Sequence, residues 1–206
     1  MKNPFNKSFQ LFTIGHSNRA FDEFLSLLKK FQIETVVDIR RYPSSRKFPH
    51  FNRETLQKLL TEHGIEYLWL EALGGRRHGG QNEKSPNLGL TSPAFRSYAD
   101  YMATDQFRTA VKTLLSTFAA SRTAIMCAEK LYWKCHRRLL CDYLTAQSIE
   151  VKHIMEEAEL IDHKLTPSAV ISADFTVTYP TLALSKRSAS KGPPIAPDNE
   201  KSLFDA

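Results

Sequence analysis

Thr35-Val36-Val37-Asp38-Ile39 is a short apolar run rich in β-branched residues, which is typical of a buried β-strand. Four other runs of similar length lie on either side of it in the chain. They are Phe9–Ile14, Ile65–Leu70, Thr123–Cys127 and Glu150–Ile154. Segments with apolar residues at helical spacing separate these runs, and strands that alternate with helices indicate βαβ units. We therefore predict an α/β fold: an open, mainly parallel sheet of about five strands with helices on both faces, Rossmann-like and three-layered.

The composition is that of one globular domain followed by a tail. Of the 206 residues, 42% are hydrophobic and 24% are charged, which is ordinary for a folded domain. The sequence turns to Ser, Lys, Pro and Asp near its end, so we predict a single α/β domain over residues 1–184 and a mobile polar tail over 185–206. No apolar run reaches the length of a membrane span, and residues 1–5 lack the apolar core of a signal peptide. We expect a cytoplasmic protein with no membrane partner.

Charge and motif content narrow the classes of function. The net charge of +6 favours anionic partners such as nucleic acid, nucleotides or phosphorylated metabolites. Three cysteines make an odd number, and a disulfide framework is not expected in a reducing compartment. Neither G-x-x-x-x-G-K nor G-x-G-x-x-G occurs, which removes the main support for a P-loop ATPase or a dinucleotide oxidoreductase.

Polar and small residues follow four of the predicted strands. These segments are Gly15–Ser17, Asp38–Arg46, Leu73–Arg76 and Cys127–Glu129. In an open parallel sheet, ligands bind outside the carboxyl ends of the strands. We therefore expect the four segments to converge on one site.

The segment Ile39–Arg53 has the composition of a nucleic-acid contact, because it contains no acidic residue. Basic and aromatic residues alternate in it: Arg40, Arg41, Tyr42, Arg46, Lys47, Phe48, Phe51 and Arg53. Guanidinium groups grip phosphate oxygens, and aromatic rings stack on exposed bases. The combination is typical of a protein that binds a single strand or a flipped base. The alternative is a solvated loop whose aromatic residues cap the core.

Two shorter segments extend this candidate site. Gly74 and Gly75 precede Arg76, and glycines at such a place allow either close backbone approach to a ligand or a flexible lid. His16 and Ser17 are adjacent on one turn, so His16 is a candidate either for catalysis or for orienting a ligand. Asp38 ends a strand next to Arg40 and is a candidate either for a catalytic carboxylate or for a structural ion pair.

The richest chemistry lies around the fourth predicted strand and the helix after it. The residues are Cys127, Glu129, Cys135, His136 and Arg137. A cysteine near a helix N-terminus, Arg or His can act as a nucleophile, and Glu129 can serve as general acid or base. A phosphatase or rhodanese loop is disfavoured, because Trp133 stands where that loop needs Arg. Metal binding by Cys127, Cys135 and His136, with Cys141 as a further ligand, is a weaker alternative. The spacing matches no usual zinc pattern, so we assign no metal ligands from the sequence. The alternative is that both cysteines are simply packed in the core.

Taken in order along the chain, these segments resemble one protein family. They are Thr13-Ile14-Gly15-His16-Ser17, Asp38-Ile39-Arg40 with Pro43 and Ser45-Arg46, Leu73-Gly74-Gly75-Arg76, Met126-Cys127-Ala128-Glu129, Cys135-His136-Arg137 and Val151-Lys152-His153-Ile154. The string is similar to the signature segments of the domain of unknown function 488 family, from about Phe12 to Tyr179. The resemblance implies an α/β domain and supplies no reaction. The site residues that it implies are His16, Ser17, Asp38, Arg40, Arg46, Gly74, Gly75, Arg76, Cys127, Glu129, Cys135, His136 and Arg137.

The tail carries one further resemblance. Glu200-Lys201-Ser202-Leu203-Phe204 is similar to the Gln-Leu-Ser-Leu-Phe peptide with which bacterial repair proteins dock on the DNA sliding clamp. Leu203 and Phe204 would fill an apolar clamp pocket as an extended anchor. Glu200 departs from the pattern, which weakens the polar contact. The alternative is an ordinary terminus.

Three hypotheses of function follow. The first is an enzyme that acts on nucleic acid or on a modified base or nucleotide in DNA repair or processing, with Cys127 and Glu129 beside the Arg and aromatic residues. The second is a non-catalytic module that binds nucleic acid or a nucleotide and recruits the sliding clamp. The third is an enzyme acting on a phosphorylated small metabolite. The sequence names no cofactor and leaves open whether the protein is an enzyme.

Overall fold

A mixed six-stranded sheet forms the centre of the structure, a computed structural model that describes residues 10–77, 83–156 and 159–181. Its strands are β1 (Gln10–Gly15), β2 (Thr35–Asp38), β3 (Glu66–Trp69), β4 (Thr123–Cys127), β5 (Glu150–Ile154) and β6 (Leu160–Asp162). Their order is β3-β2-β4-β1-β5-β6, and only β6 runs antiparallel to its neighbour. The predicted mainly parallel sheet is confirmed, with a sixth strand added at one edge.

Helices cover both faces of the sheet, which confirms the three-layer α/β prediction. One face carries α1 (Phe21–Lys30) and α2 (Arg53–Glu62), and the other carries α3 (Pro93–Met102), α4 (Asp105–Ala120) and α5 (Arg137–Ala146). Side chains alternate along a strand, so in β1 Phe12 and Ile14 pack on the α1 and α2 side, whereas Leu11 packs on the other. Burial of these two apolar layers holds the sandwich together.

The two ends of α2 are held in different ways. Gly64 follows the helix with φ of 73°, the left-handed conformation that ends helices and that glycine adopts at little cost. Asn52 stands at the start of the helix but does not cap it with its side chain. Instead its Oδ1 accepts a hydrogen bond from the backbone N of Ser45 at 2.5 Å, so Asn52 ties down the basic loop after β2.

The crossovers open a crevice at the carboxyl edge of the sheet. After β1 and β2 the chain crosses the face of α1 and α2, and after β3 and β4 it crosses the opposite face. Since β4 lies between β1 and β2, chains that leave neighbouring strands turn away from each other there, and such a switch point is where open α/β sheets bind ligands. Beyond the strands, His16 N and Ser17 N still donate to Cys127 O and Ala128 O, both at 2.9 Å.

A small antiparallel pair lies apart from the main sheet, formed by β7 (Val170–Ile171) and β8 (Val177–Thr178). Strands of two or three residues, such as these and β6, leave no periodic pattern, so the sequence did not predict them. None of the helices in the described ranges is both long and apolar enough to span a membrane.

Candidate functional site

Two adjoining hollows lie at the carboxyl edge of the sheet. Their volumes are about 730 and 570 Å³, and they share the lining residues Arg40, Tyr42, Ser44, Ala128 and Glu129. We refer to the two together as the basin. Segments that follow β1, β2, β3 and β4 all contribute to its lining, as the topology requires.

The basin is strongly basic. Its lining contains one carboxylate, Glu129, and six cationic side chains: Arg40, Arg41, Lys47, Arg76, Lys130 and Lys134. Three of the six are neutralised, because Asp38 pairs with Arg40, Glu71 with Arg41 and Glu156 with Lys130. In the part of the chain that the structure describes, no carboxylate lies within ion-pair distance of the other three, Lys47, Arg76 and Lys134. Their charge is available to an anionic ligand.

Asp38 and Arg40 form a buried ion pair below the basin. The carboxylate of Asp38 accepts from Arg40 Nε at 2.9 Å and from Arg40 Nη2 at 2.5 Å. The hydroxyl of Tyr67 also donates to Asp38, at 2.6 Å, and burial raises the pKa of Tyr67 far above its usual value, so this donor stays protonated. Of the two roles predicted for Asp38, the structure therefore shows the ion pair, which fixes the guanidinium of Arg40.

His16 completes the support of Arg40. Burial and then the charge of Arg40 lower the pKa of His16 to about 3, so the ring is neutral near pH 7. Its Nδ1 donates to Ser17 O at 2.9 Å, and its Nε2 accepts from Arg40 Nη1 at 3.1 Å. The ring also stacks on Phe51, with centroids 4.1 Å apart. Both ring nitrogens are thus engaged in positioning the loop and the guanidinium.

Cys127, Cys135 and His136 form a cluster at the floor of the larger hollow. Nδ1 of His136 lies 3.9 Å from Cys127 Sγ and 3.6 Å from Cys135 Sγ. The hydrogen bond to Cys135, together with burial, raises the pKa of Cys127 well above its usual value. Burial opposes ionisation of Cys135 as well, but the hydrogen bond from Cys127 and the charges of His136 and Arg137 outweigh it and hold the pKa of Cys135 well below its usual value. Of the two thiols, Cys135 is the one that the surroundings favour as a thiolate.

Arg137 lies behind this cluster. Its side chain is 1% exposed, and its guanidinium donates to the carbonyls of Glu129 and Lys130. Its Nε donates to Cys135 Sγ at 3.5 Å. Arg137 is among the site residues that the resemblance implies, and it is buried where it braces the loop after β4 and faces the sulfur of Cys135.

Gly74 and Gly75 allow the chain to approach itself closely. A Cβ atom at Gly74 would stand 2.9 Å from the backbone of Arg41, and one at Gly75 would collide with the ring of His136. These contacts give both glycines a packing role, and Gly75 also lines the larger hollow. Gly75 sets the position of the imidazole, and Tyr98 contacts the same ring edge to face at 5.0 Å.

The remaining predicted site residues divide into three groups. Glu129 is exposed at the junction of the two hollows, Ser17 lines the smaller hollow and Arg76 lines the larger one. Arg46 is exposed but lines neither hollow. Leu203 and Phe204, with the rest of the predicted clamp peptide, lie outside the described residues.

Sequence reasoning missed Lys130, Lys134 and Phe95, which also line the basin. The two lysines belong to the loop after β4, so their position relative to the strand was a usable signal. Phe95 belongs to α3, and its apolar spacing indicated only a core role.

A second cluster of cysteine and histidine lies inside the protein, formed by Cys141, His153 and His163. Here the hydrogen bonds form a chain. Thr13 Oγ1 lies 2.7 Å from His153 Nδ1, His153 Nε2 lies 2.9 Å from His163 Nδ1, and His163 Nε2 donates to Asp142 Oδ1 at 2.9 Å. Asp142 also accepts from Thr166 N and from Tyr179 OH, so the chain ends on a carboxylate that is fully engaged. Tyr132 stacks on His153 with centroids 3.5 Å apart.

Comparison with protein families gave a match to the model of Domain of unknown function DUF488, over residues 20–144. The matched region spans α1 to α5 and contains the Arg40 loop, Gly75 and the whole Cys127, Cys135 and His136 cluster, but neither histidine of the second cluster. Comparison with curated proteins and with solved structures gave no significant match. Since the family match covers more than half of the chain, this protein belongs to the DUF488 family.

Proposed function

We propose that the protein is an enzyme that binds nucleic acid, or a modified base or nucleotide, in the basin and acts on it there. One arrangement carries the proposal. Lys47, Arg76 and Lys134 line the basin together with the exposed ring of Tyr42. The buried thiols of Cys127 and Cys135 lie at its floor. Unpaired cations suit phosphates, the ring suits a base, and the floor offers reactive side chains. DNA repair or base processing is the setting that this chemistry fits.

The cations flank the junction of the hollows. Lys47 lines the smaller hollow, whereas Arg76 and Lys134 line the larger one. A strand that crosses the junction would meet positive charge on both sides. Each phosphate neutralised by a lysine or arginine releases counterions, so affinity should depend steeply on salt.

Tyr42 is the candidate stacking platform. Its ring is 59% exposed, and the guanidinium carbons of Arg41 and Arg76 each lie 6.0 Å from the ring centroid. An exposed tyrosine between arginines presents a face to a base and cations to the adjoining phosphates. Base stacking on such a ring contributes about 1–3 kcal/mol.

Glu129 is the candidate for proton transfer. It is the one carboxylate that lines both hollows, and it is exposed beside the backbone N of Leu131, which donates to its Oε1 at 3.4 Å. The thiols of Cys127 and Cys135 lie on the floor of the larger hollow, within reach of the same ligand. A carboxylate and two thiols around one pocket suit catalysis rather than binding alone.

Binding is tested first with a fluorescent single strand of about ten nucleotides, by anisotropy over a range of salt. Three phosphate contacts predict a slope of log affinity against log salt of about −2, and a loss of roughly tenfold or more between 50 and 200 mM salt. Tyr42→Ala should weaken binding, whereas Phe175→Ala, an exposed aromatic in the β7–β8 hairpin, should not. A flat salt response, or equal effects of the two substitutions, would contradict the proposal.

Catalysis is tested separately with Glu129→Gln and Cys127→Ala. If both variants fold and keep every activity found, the protein is a binding module rather than an enzyme. Volumes of 570 to 730 Å³ also lie in the range of small-ligand sites. Binding of a free phosphorylated metabolite with no affinity for single strands would identify the third candidate function instead.

Docking of the tail on the sliding clamp stays a prediction from the sequence. Deletion of Ser202–Ala206 should abolish recovery of the chain on immobilised clamp and leave oligonucleotide binding unchanged. Equal recovery of the truncated and full chains would refute clamp docking.

A further inference from the structure

We propose that Cys127, Cys135 and His136 bind a zinc ion whose remaining coordination position opens into the basin. The three donor atoms, Sγ, Sγ and Nδ1, all lie within 4.8 Å of one another. Two thiolates and one imidazole are ligands that zinc prefers in proteins. That the open position serves the substrate rests on the proposed function, whereas zinc binding itself does not.

The distances agree with a tetrahedral site. Zinc binds sulfur at about 2.3 Å and imidazole nitrogen at about 2.0 Å, which places S and N about 3.6 Å apart across a tetrahedral edge. Nδ1 of His136 lies 3.6 Å from Cys135 Sγ and 3.9 Å from Cys127 Sγ. Both separations therefore lie within about 0.3 Å of the value for a bound zinc ion.

The fold holds the ligands from three directions. Cys127 ends β4, and Cys135 and His136 immediately precede α5, so the loop between them returns the chain to the same point. Gly75 comes from the loop after β3 and lies so close to the imidazole that no side chain fits between them. Rigid elements on each side are what a metal site needs in order to fix its ligands before the ion arrives.

Charge around the cluster also suits a zinc dithiolate. The two negative charges of the thiolates balance the two positive charges of Zn²⁺. The bound ion would therefore add no net charge beside the basic side chains of the basin. The guanidinium of Arg137 is buried and donates to Cys135 Sγ at 3.5 Å. A hydrogen bond to a ligating sulfur is the outer contact that orients and tunes metal ligands.

All three ligands line the larger hollow together with Glu129. Three protein ligands and one open position are the arrangement of catalytic zinc sites, whereas structural sites have four protein ligands. The ion would thus stand where the ligand enters, with an exposed carboxylate beside it. The reaction class that fits is hydrolysis of a base or nucleotide. Water held at the open position would add its oxygen to the electrophilic atom of the substrate, the bond from that atom to the leaving group would break, and Glu129 would carry the proton of the water to the leaving group.

The second cluster provides the contrast within the same molecule. His153 and His163 have all four ring nitrogens engaged in the hydrogen-bond chain between Thr13 and Asp142. A metal there would have to break those bonds in the interior. In His136, by contrast, Nδ1 faces only the two sulfurs and Nε2 has no hydrogen-bond partner in the described part of the chain.

The test uses the full chain, reduced and stripped of metal. Titration with Co²⁺ should give the sulfur-to-cobalt charge-transfer and tetrahedral d–d absorption bands at one ion per chain, and Zn²⁺ should displace them. Cys127→Ser, Cys135→Ser and His136→Ala should each weaken Zn²⁺ binding more than about tenfold, because losing a ligand costs more than losing an outer contact. Cys141→Ser is the matched control and should bind as the wild type does. Circular dichroism of the apo proteins verifies that each variant is folded.

X-ray absorption at the zinc edge of the wild-type protein needs no variant. We expect two sulfurs at about 2.3 Å, and nitrogen or oxygen ligands at about 2.0 Å. The proposal is overturned if the wild type binds neither ion with all three thiols reduced, if the edge spectrum shows no sulfur, or if Cys141→Ser abolishes binding while Cys135→Ser does not. None of these readouts contains nucleic acid, so their failure leaves the proposed function standing, and a flat salt response in oligonucleotide binding leaves the zinc site standing.

Discussion

The two thiol–histidine clusters contain the same residue types and differ in what surrounds them. In the interior cluster, every nitrogen of His153 and His163 has a hydrogen-bond partner, and the chain ends on Asp142, which is fully buried. In the cluster at the carboxyl edge, His136 faces two sulfurs on one side, and on the other its Nε2 has no hydrogen-bond partner among the residues that the structure describes. Ring nitrogens that all have hydrogen-bond partners inside the protein stabilise the fold. Nitrogen and sulfur atoms without such partners can bind a ligand.

The comparison assigns different roles to the two clusters: the interior cluster stabilises the fold, and the edge cluster serves binding. Disruption of the interior cluster should unfold the protein. Disruption of the edge cluster and its basin should leave a folded protein that no longer binds. The predictions below test this separation, beginning with the largest expected effect.

Asp142→Ala should cost the most stability. Asp142 accepts from His163 Nε2, from Thr166 N and Oγ1 and from Tyr179 OH. The substitution would leave these buried donors without their acceptor. Loss of one partner of a buried polar network costs about 3–5 kcal/mol. Chemical denaturation measures the change in the free energy of unfolding. Asp162→Ala is the matched control, because Asp162 is exposed and pairs with Lys152 at the surface, and it should cost less than about 1 kcal/mol. Equal costs for the two substitutions would contradict the structural role of the interior cluster.

The interior cluster should also make stability fall with acid. Burial, then the charges of His163 and Arg137, lower the pKa of His153 to about 2, against 6.5 for a free histidine. At a pH between these two values, His153 is protonated in the unfolded chain and neutral in the folded chain. The free energy of unfolding therefore falls as the pH drops below about 6.5. The loss by pH 5 should be on the order of 2 kcal/mol, and buried His16 adds a contribution of the same sign.

Denaturation of His153→Gln at several pH values measures this contribution. The variant should lose part of the acid dependence between pH 7 and pH 5. The control is His63→Gln, since His63 is exposed after α2 and should leave the dependence unchanged. An unaltered pH profile in His153→Gln would show that His153 is not held neutral.

Arg76→Ala should change binding by a smaller amount and stability hardly at all. Arg76 is exposed and lines the larger hollow, so its loss should weaken oligonucleotide affinity by roughly threefold to tenfold and reduce the salt slope by about 0.7. Arg108→Ala, on the exposed side of α4, is the control and should alter neither quantity. Equal weakening by both substitutions would indicate attraction by net charge alone rather than contact in the basin.

The sequence predicted the central sheet well because its strands are long enough to show a pattern. The predicted bounds of β4 and β5 agree with the structure residue for residue, and the mainly parallel arrangement follows from the alternation with helices. The convergence of the strand exits could be predicted for the same reason. Strands of two or three residues, by contrast, carry no period, so β6, β7 and β8 could be found only in the structure.

The site could be predicted as a set of residues but not as an arrangement. The cluster joins Cys127 to Cys135 and His136 at a spacing that belongs to no familiar metal motif. Its imidazole is placed by Gly75, which lies about sixty residues before His136 in the chain. Arg137 shows the limit most plainly. A charge in the sequence suggests a surface contact, yet here the guanidinium is buried because loop carbonyls and a sulfur accept its hydrogen bonds.

Hydrogen exchange with and without a single strand of about ten nucleotides tests most directly the claim that the edge cluster and its basin are where this protein meets its ligand. We expect slower exchange in residues 40–48, 75–77 and 128–136, and unchanged exchange in residues 160–179 around the interior cluster. Protection confined to residues 160–179 or to the helices α1 and α2, with the basin unchanged, would contradict the account.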